Sequence, residues 1–204
     1  MHAARKGSRA DRRKPGTHDS PMPPAGERLS PRFAWASRML RIRADDRVLE
    51  IGCGHGVALG LVAAKLAGGS VVGIDRSAKM TAVAKRRNAA AIREGRVEVR
   101  TGVLASVDLG AAPFDVVFAI NVSLFGRDAD AEIERLRTVL APRGTVMLFF
   151  ESPAWAHAER FLANASRNFE ANGFHVKGLV NRPLGVAIVC TKSSSRVRAR
   201  SSRS

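Results

Sequence analysis

Short apolar strands alternate with helix-like runs along this chain, and that alternation restricts the folds open to it. Residues 47–52 (Arg-Val-Leu-Glu-Ile-Gly) form an apolar strand ending in glycine, followed by a helix-like run over 57–67. A second strand over 70–75 leads into an Ala/Lys/Arg-rich helix over 77–93. Residues 97–100 make a third strand, 114–121 a fourth with a helix over 128–140, and 144–150 a fifth with a helix over 154–172. Strands separated by helices pair in parallel, and continuously apolar strands need helices on both faces. The last two strands, 174–180 and 185–190, lie too close for a crossover helix and should pair antiparallel. The expectation is an α/β, Rossmann-like, seven-stranded and mostly parallel sheet. Helices cover both faces, and an antiparallel strand pair closes the C-terminal end.

At 204 residues the chain fits one domain with tails. Ser30-Pro31 is a helix-start signal, and 31–42 reads as a helix with Phe33, Trp35, Met39 and Leu40 as its apolar positions. The domain is expected over 29–190, between basic tails at 1–28 and 191–204. These tails are rich in Ser, Pro and Arg and poor in packable side chains, a composition that favours disorder. The net charge is +16; residues 1–28 hold four of these charges and 190–204 another five. Such tails can hold RNA by counterion release or can simply be solvated. The first 28 residues lack the roughly 7–15 apolar residues of an export signal, and no run reaches the roughly 18 of a membrane span. A soluble, cytoplasmic protein with no membrane partner is expected. Cys53 and Cys190 show no metal-ligand spacing, and no metal site is expected.

The chemistry starts at the loop Gly52-Cys53-Gly54-His55-Gly56, between the first strand and its helix. Glycines allow a tight turn and close approach of a ligand, and ligands of open α/β sheets sit outside the carboxyl ends of the strands. A dinucleotide site wants G-x-G-x-x-G against pyrophosphate. Counting from Gly52, the third glycine comes early, at Gly56, and Val57 holds its place. Glu50 would also sit poorly beside a pyrophosphate, but it suits a ligand carrying an ammonium group. Asp75 ends the second strand, where it can accept from two ribose hydroxyls or cap the following helix.

The segment 48–56, Val-Leu-Glu-Ile-Gly-Cys-Gly-His-Gly, resembles the first motif of class I S-adenosylmethionine-dependent methyltransferases. Val72-Gly73-Ile74-Asp75-Arg76-Ser77 with Met80 is similar to the second, and Phe114-Asp115-Val116-Val117 through Asn121 to the fourth. The resemblance covers about residues 30–190. It implies S-adenosyl-L-methionine as cofactor. Glu50 would serve its amino group, with Gly52, Cys53, Gly54 and Gly56 around the methionine portion. The ribose would lie on Asp75, the adenine between Arg76 and Met80, and Asn121 beside the reaction centre. One position departs from the family: where relatives carry Gly-Asp-Ala after the third strand, this chain has Gly102-Val103-Leu104. Adenine would then pack on Val103 and Leu104, with the acid of Asp108 as a possible substitute. Losing one partly exposed hydrogen bond costs about 1 kcal/mol, so binding would weaken about tenfold.

Methyl transfer needs mainly in-line positioning, and a base only if the acceptor is protonated. Glu151 and His157 are the candidate bases, while His55 and Cys53 are expected to line the loop. The acceptor would meet Phe33, Trp35 and Arg38 of the first helix and the loops 122–127 and 151–158. Asn121-Val122-Ser123-Leu124 is not the Asn/Asp-Pro-Pro-aromatic signature of nucleobase or glutamine methylation, and no Pro-Cys nucleophile is present. About 22 residues separate Asn121 from the fifth strand, too few for an inserted substrate domain. The leading expectation is a small-molecule methyltransferase. The alternatives are an RNA-associated protein using its basic tails and a cofactor-binding relic without catalysis. The resemblance predicts that the protein binds S-adenosylhomocysteine and not NAD; calorimetry showing the reverse preference would refute it.

Overall fold

The computed structural model describes residues 29–181 and 184–193. The expected tails therefore lie outside the described residues, apart from Thr191, Lys192 and Ser193. In chain order the elements are α1 (Pro31–Met39), β1 (Arg47–Ile51), α2 (Val57–Ala63), β2 (Ser70–Asp75), α3 (Ala78–Arg87), α4 (Ala89–Arg93) and β3 (Val97–Thr101). Then come β4 (Phe114–Ile120), a 3-10 turn (Leu124–Gly126), α5 (Asp130–Val139), β5 (Leu140–Phe150), α6 (Trp155–Ala171), β6 (Phe174–Asn181) and β7 (Gly185–Lys192).

The seven strands form one sheet in the order β3-β2-β1-β4-β5-β7-β6. Neighbours from β3 to β5 are parallel, and β7 runs antiparallel to both β5 and β6. This is the expected architecture. From β1 the chain steps outward to β2 on one side, and later returns to β4 on the other. The order thus reverses between β1 and β4, and a crevice opens at their carboxyl ends. Both the glycine loop and Asn121 stand at that crevice.

Strand alternation divides the core in two. Leu49, Ile51, Val72, Ile74, Val117 and Leu148 face α5 and α6, meeting Ile133, Leu136, Phe161 and Phe169. Val48, Val71, Val99, Val116, Phe118 and Phe149 face the opposite layer, meeting Trp35, Leu59, Val62 and Ala84. The same alternation sends Glu50 toward the α1/α2 side, alongside Val48.

Several boundaries differ from the sequence expectation. The helix expected over 77–93 breaks at Asn88, between α3 and α4. Ala-rich composition favours continuity there, but the buried Asn88 has a tertiary task. Its Nδ2 donates to the carbonyls of Gly56 and Ala84, both at 2.9 Å. Helix α2 stops at Ala63, four residues early, because the N–H groups of Lys65 and Leu66 tighten onto Val62 and Ala63. Helix α1 ends at Met39 rather than at 42. At the other end β7 continues to Lys192, past the expected domain limit at 190. Thr191 pairs with Thr145 and His175, and Ser193 N–H donates to Gly173. Among the described residues no helix is long and apolar enough to cross a membrane.

Asn88 fastens the start of α2 to α3, directly beneath the glycine loop. Replacing it with alanine strips a buried carbonyl of its partner, a loss of about 1–3 kcal/mol. For a protein of this size that lowers the melting temperature by roughly 3–10 °C. Unchanged thermal melting of Asn88→Ala would show that the loop needs no such fastening.

Candidate active site

Backbone hydrogen bonds shape the loop after β1. Gly52 and Cys53 both donate to the Ile74 carbonyl, at 2.8 and 3.0 Å, and Gly56 donates to Cys53 at 2.9 Å. Gly52, Gly54 and Gly56 have φ of +70°, +50° and +75°, which side chains rarely tolerate. Their surroundings separate their tasks. A Cβ on Gly54 would meet nothing within 4 Å, so that backbone is open to a ligand. One on Gly56 would lie 2.9 Å from the Ala84 Cβ and 2.6 Å from the Asn88 Nδ2. Gly56 lines neither cavity described below; its job is to let α2 close on α3.

Asp75 links loop and helix. Its Oδ2 accepts from Gly54 N–H at 3.0 Å and its Oδ1 from Ser77 N–H at 2.9 Å. The cap of α3 is Ser77, whose hydroxyl accepts from Met80 N–H at 3.3 Å, so the capping alternative for Asp75 passes to its neighbour. Each carboxylate oxygen keeps further acceptor capacity.

Glu50 is 2% exposed, and its Oε2 has no hydrogen-bond partner among the described residues. Burial, and secondarily the charge of Asp75, push its carboxyl well above the usual carboxylate range. The Cys53 thiol is pushed up to about 12 by burial, by Glu50 and by Asp75. It is a lining thiol and not a nucleophile.

Two cavities open on this framework. The first, about 600 Å³, runs past Asp75, Arg76, Gly102, Val103 and Leu104 to Asp128 and Glu132. The second, about 580 Å³, is bounded by Glu50, the glycine loop, the start of α1 and Arg87. They share Gly52, Ile120 and Asn121, so Asn121 stands at their junction. Its φ of +57° is the only left-handed value at a non-glycine among the described residues, and its Oδ1 accepts from Glu151 N–H at 2.7 Å. Asn tolerates that conformation better than most residues.

Other expected positions fall elsewhere. Met80 lines neither cavity. Asp108 turns onto Gly110 N–H and away from the crevice. The Glu151 side chain pairs with Arg32 at 3.4 Å; His157 is exposed on α6, and neither side chain lines a cavity. Trp35 is buried edge-on against Phe149 at 5.4 Å, and Arg38 is exposed away from the cavities, whereas Phe33 does line the second. The loop 122–127 borders the first cavity, and 151–158 borders neither. Asp128, Glu132, Arg32 and Arg87 carry no motif that marks them in the sequence. The available signal for the two acids is their place just past the fourth strand, whose carboxyl end forms the crevice.

Residues 49–146 match the family model of a methyltransferase domain. Over 159 residues the chain is 31% identical to a protein-L-isoaspartate O-methyltransferase of Methylorubrum populi, an alignment spanning 76% of this chain and 70% of that protein. The chain belongs to the class I S-adenosylmethionine-dependent methyltransferases. Solved structures share its fold. A TehB-like methyltransferase from Corynebacterium glutamicum is 18% identical with a TM-score of 0.58, over 83% of this chain and 91% of that one. A SAM-dependent methyltransferase from Aquifex aeolicus is 17% identical with a TM-score of 0.66, over 78% and 88%.

The family implies S-adenosylmethionine, and the residues present fit it. A methyltransferase needs a partner for the cofactor's ammonium, and the unpaired Glu50 oxygen offers one. The open face at Gly54 accommodates the main chain's approach to the ligand.

Glu50 makes this fit testable through pH. Its folded pKa lies above the unfolded value of about 4.3, so the folded state holds the proton more tightly, and stability falls as pH rises through that window. Glu50→Gln in the ligand-free methyltransferase should therefore gain melting temperature over the parent as pH rises from about 5 to about 8. The same variant should lose about 1.5–3 kcal/mol of S-adenosylhomocysteine affinity, the range for a charged hydrogen bond. Asp75→Ala should lose a similar amount, about 1.5–3 kcal/mol. Parent-like affinity in both variants would remove these carboxylates from the cofactor site.

Proposed function

We propose that this methyltransferase transfers the methyl group of S-adenosylmethionine to a small-molecule acceptor held in the second cavity. The observation that carries this reading is the junction of the two cavities at Gly52, Ile120 and Asn121. A cofactor with its adenosine in the first cavity and its amino acid portion on Glu50 would place its sulfur at that junction. The second cavity then has the size of a small-molecule site, within the usual range of roughly 300–1,000 Å³.

When bound, the cofactor supplies an electrophilic methyl group on a sulfonium. This chain's residues bind, orient and exclude water. Asp75 would accept from the ribose hydroxyls. Arg76 and the pair Val103-Leu104 would flank the adenine, and buried Leu104 would supply apolar contact. Glu50 would ionise against the ammonium, and Gly52, Cys53 and Gly54 would pack along the amino acid portion. Asn121, fixed through Glu151 N–H, would set the wall past which the acceptor approaches in line.

A second reading has its own support. The Methylorubrum populi relative is named for action on protein isoaspartate, so a polypeptide could present its acceptor group to the same cavity. The RNA reading rests on the basic tails, which lie outside the described residues. Shortening the chain to residues 29–193 tests it: turnover on a small acceptor should stay within about twofold of the full chain. On the RNA reading the Michaelis constant should rise and the salt slope flatten, by about 0.9 for each duplex phosphate that the tails no longer neutralise. A shortened protein that binds S-adenosylhomocysteine yet methylates nothing that the full chain methylates would overturn the small-molecule assignment.

A further inference from the structure

The second cavity also constrains the chemistry of the acceptor. Two guanidinium-bearing residues line it, Arg32 from α1 and Arg87 from the end of α3, with His55 on the loop between them and Phe33 as the aromatic wall. The Arg32 guanidinium lies 5.0 Å from the Phe33 ring centroid. Its partner Glu151 is 3.4 Å away, with both side chains about two-fifths exposed. An ion pair this exposed is weak, and a ligand anion can take the place of Glu151 with little loss. The two acids near the glycine loop do not neutralise these cations toward an acceptor. Asp75 lies in the other cavity, and Glu50 is buried with its carboxyl kept neutral until an ammonium reaches it.

Protonated nucleophiles fit this cavity poorly. Thiols, phenols and ammonium groups ionise at about 8.5, 10 and 10.4, so each needs a base near the methyl group at neutral pH. Glu151 and His157 line neither cavity, and Cys53 is itself a thiol held up at about 12. A carboxylate, with an ordinary pKa near 4, arrives already ionised and needs only cations to hold it.

We propose that the acceptor is a small carboxylic acid, held by Arg32 and Arg87 with its apolar body against Phe33, and that the product is its methyl ester. This rests on the small-molecule methyltransferase reading above. One carboxylate oxygen forms the new O–C bond; the methyl C–S bond breaks and its electron pair stays on sulfur. The products are the neutral ester and S-adenosylhomocysteine, and no proton is released.

The test uses the full chain, tritium-labelled cofactor and a protein-free metabolite extract. The expected product is base-labile: mild alkali should return most of the label as volatile methanol, and the rate should be flat between about pH 6.5 and about pH 8.5, well above a carboxylic acid's titration. Label fixed in base-stable products, or a rate climbing with pH across that window, overturns the carboxylate assignment. No labelled product at all, with S-adenosylhomocysteine still bound, overturns the small-molecule reading itself. A binding experiment isolates the arginines. Benzoate titrated into the S-adenosylhomocysteine complex should bind, and Arg32→Gln or Arg87→Gln should each weaken it about tenfold, the effect of losing one charge-assisted hydrogen bond. Affinity for S-adenosylhomocysteine should stay within about twofold. Glu151→Gln, which removes the competing carboxylate, should tighten benzoate about two- to threefold, the scale of an exposed ion pair. If the arginine variants instead lose S-adenosylhomocysteine affinity and leave benzoate unchanged, the guanidiniums hold the cofactor's own carboxylate and the proposal fails.

Discussion

The Asp75 carboxylate joins the pieces of this site. One oxygen holds Gly54 N–H and the other holds Ser77 N–H, so a single side chain fixes the glycine loop against the start of α3. The Ile74 carbonyl, accepting from Gly52 and Cys53, completes the attachment of loop to strand. From below, Asn88 ties the Gly56 carbonyl to α3. A loop of three glycines, each with positive φ, would cost much conformational entropy to order by itself. These attachments let it be open to a ligand and still hold one shape.

Stability has been conceded at one point. Glu50 is a carboxyl buried beneath the crevice with one oxygen unpartnered, in a protein whose described core is otherwise aliphatic and aromatic on both sheet faces. An unsatisfied buried polar group costs about 1–3 kcal/mol. Groups of this kind persist where a ligand satisfies them, at the expense of the empty protein. The position of Glu50 follows from strand period alone: Leu49 and Ile51 face α5 and α6, so Glu50 faces the other layer, one residue short of the crevice.

Much of this was legible in the sequence because it depends on period and spacing. Strand alternation implied the parallel sheet and its two-sided core, and the short link before residue 185 implied the antiparallel closure. The cofactor residues on strand ends, Glu50, Asp75 and Asn121, were legible for the same reason, since the carboxyl ends of β1, β2 and β4 converge by topology. Residues whose role depends on tertiary packing were not. Gly56 looks like part of the ligand loop until Ala84 and Asn88 are seen against it. Asn88 sits in an Ala-rich run whose local preference is an unbroken helix. Trp35 and Phe33 are two residues apart on α1, yet one packs on Phe149 and the other lines a cavity. Arg32 and Arg87 are 55 positions apart, and only the folded chain puts them on one cavity.

The central claim is that the two cavities form one methyltransferase site arranged around β1 and β4. A crystal structure of the S-adenosylhomocysteine complex tests it most directly. The account predicts ribose hydroxyls on Asp75, the amino group on Glu50, and sulfur between Gly52 and Asn121 where the cavities meet. Ligand bound elsewhere, or oriented with its amino acid portion toward Glu132 and its adenine toward Phe33, would contradict it.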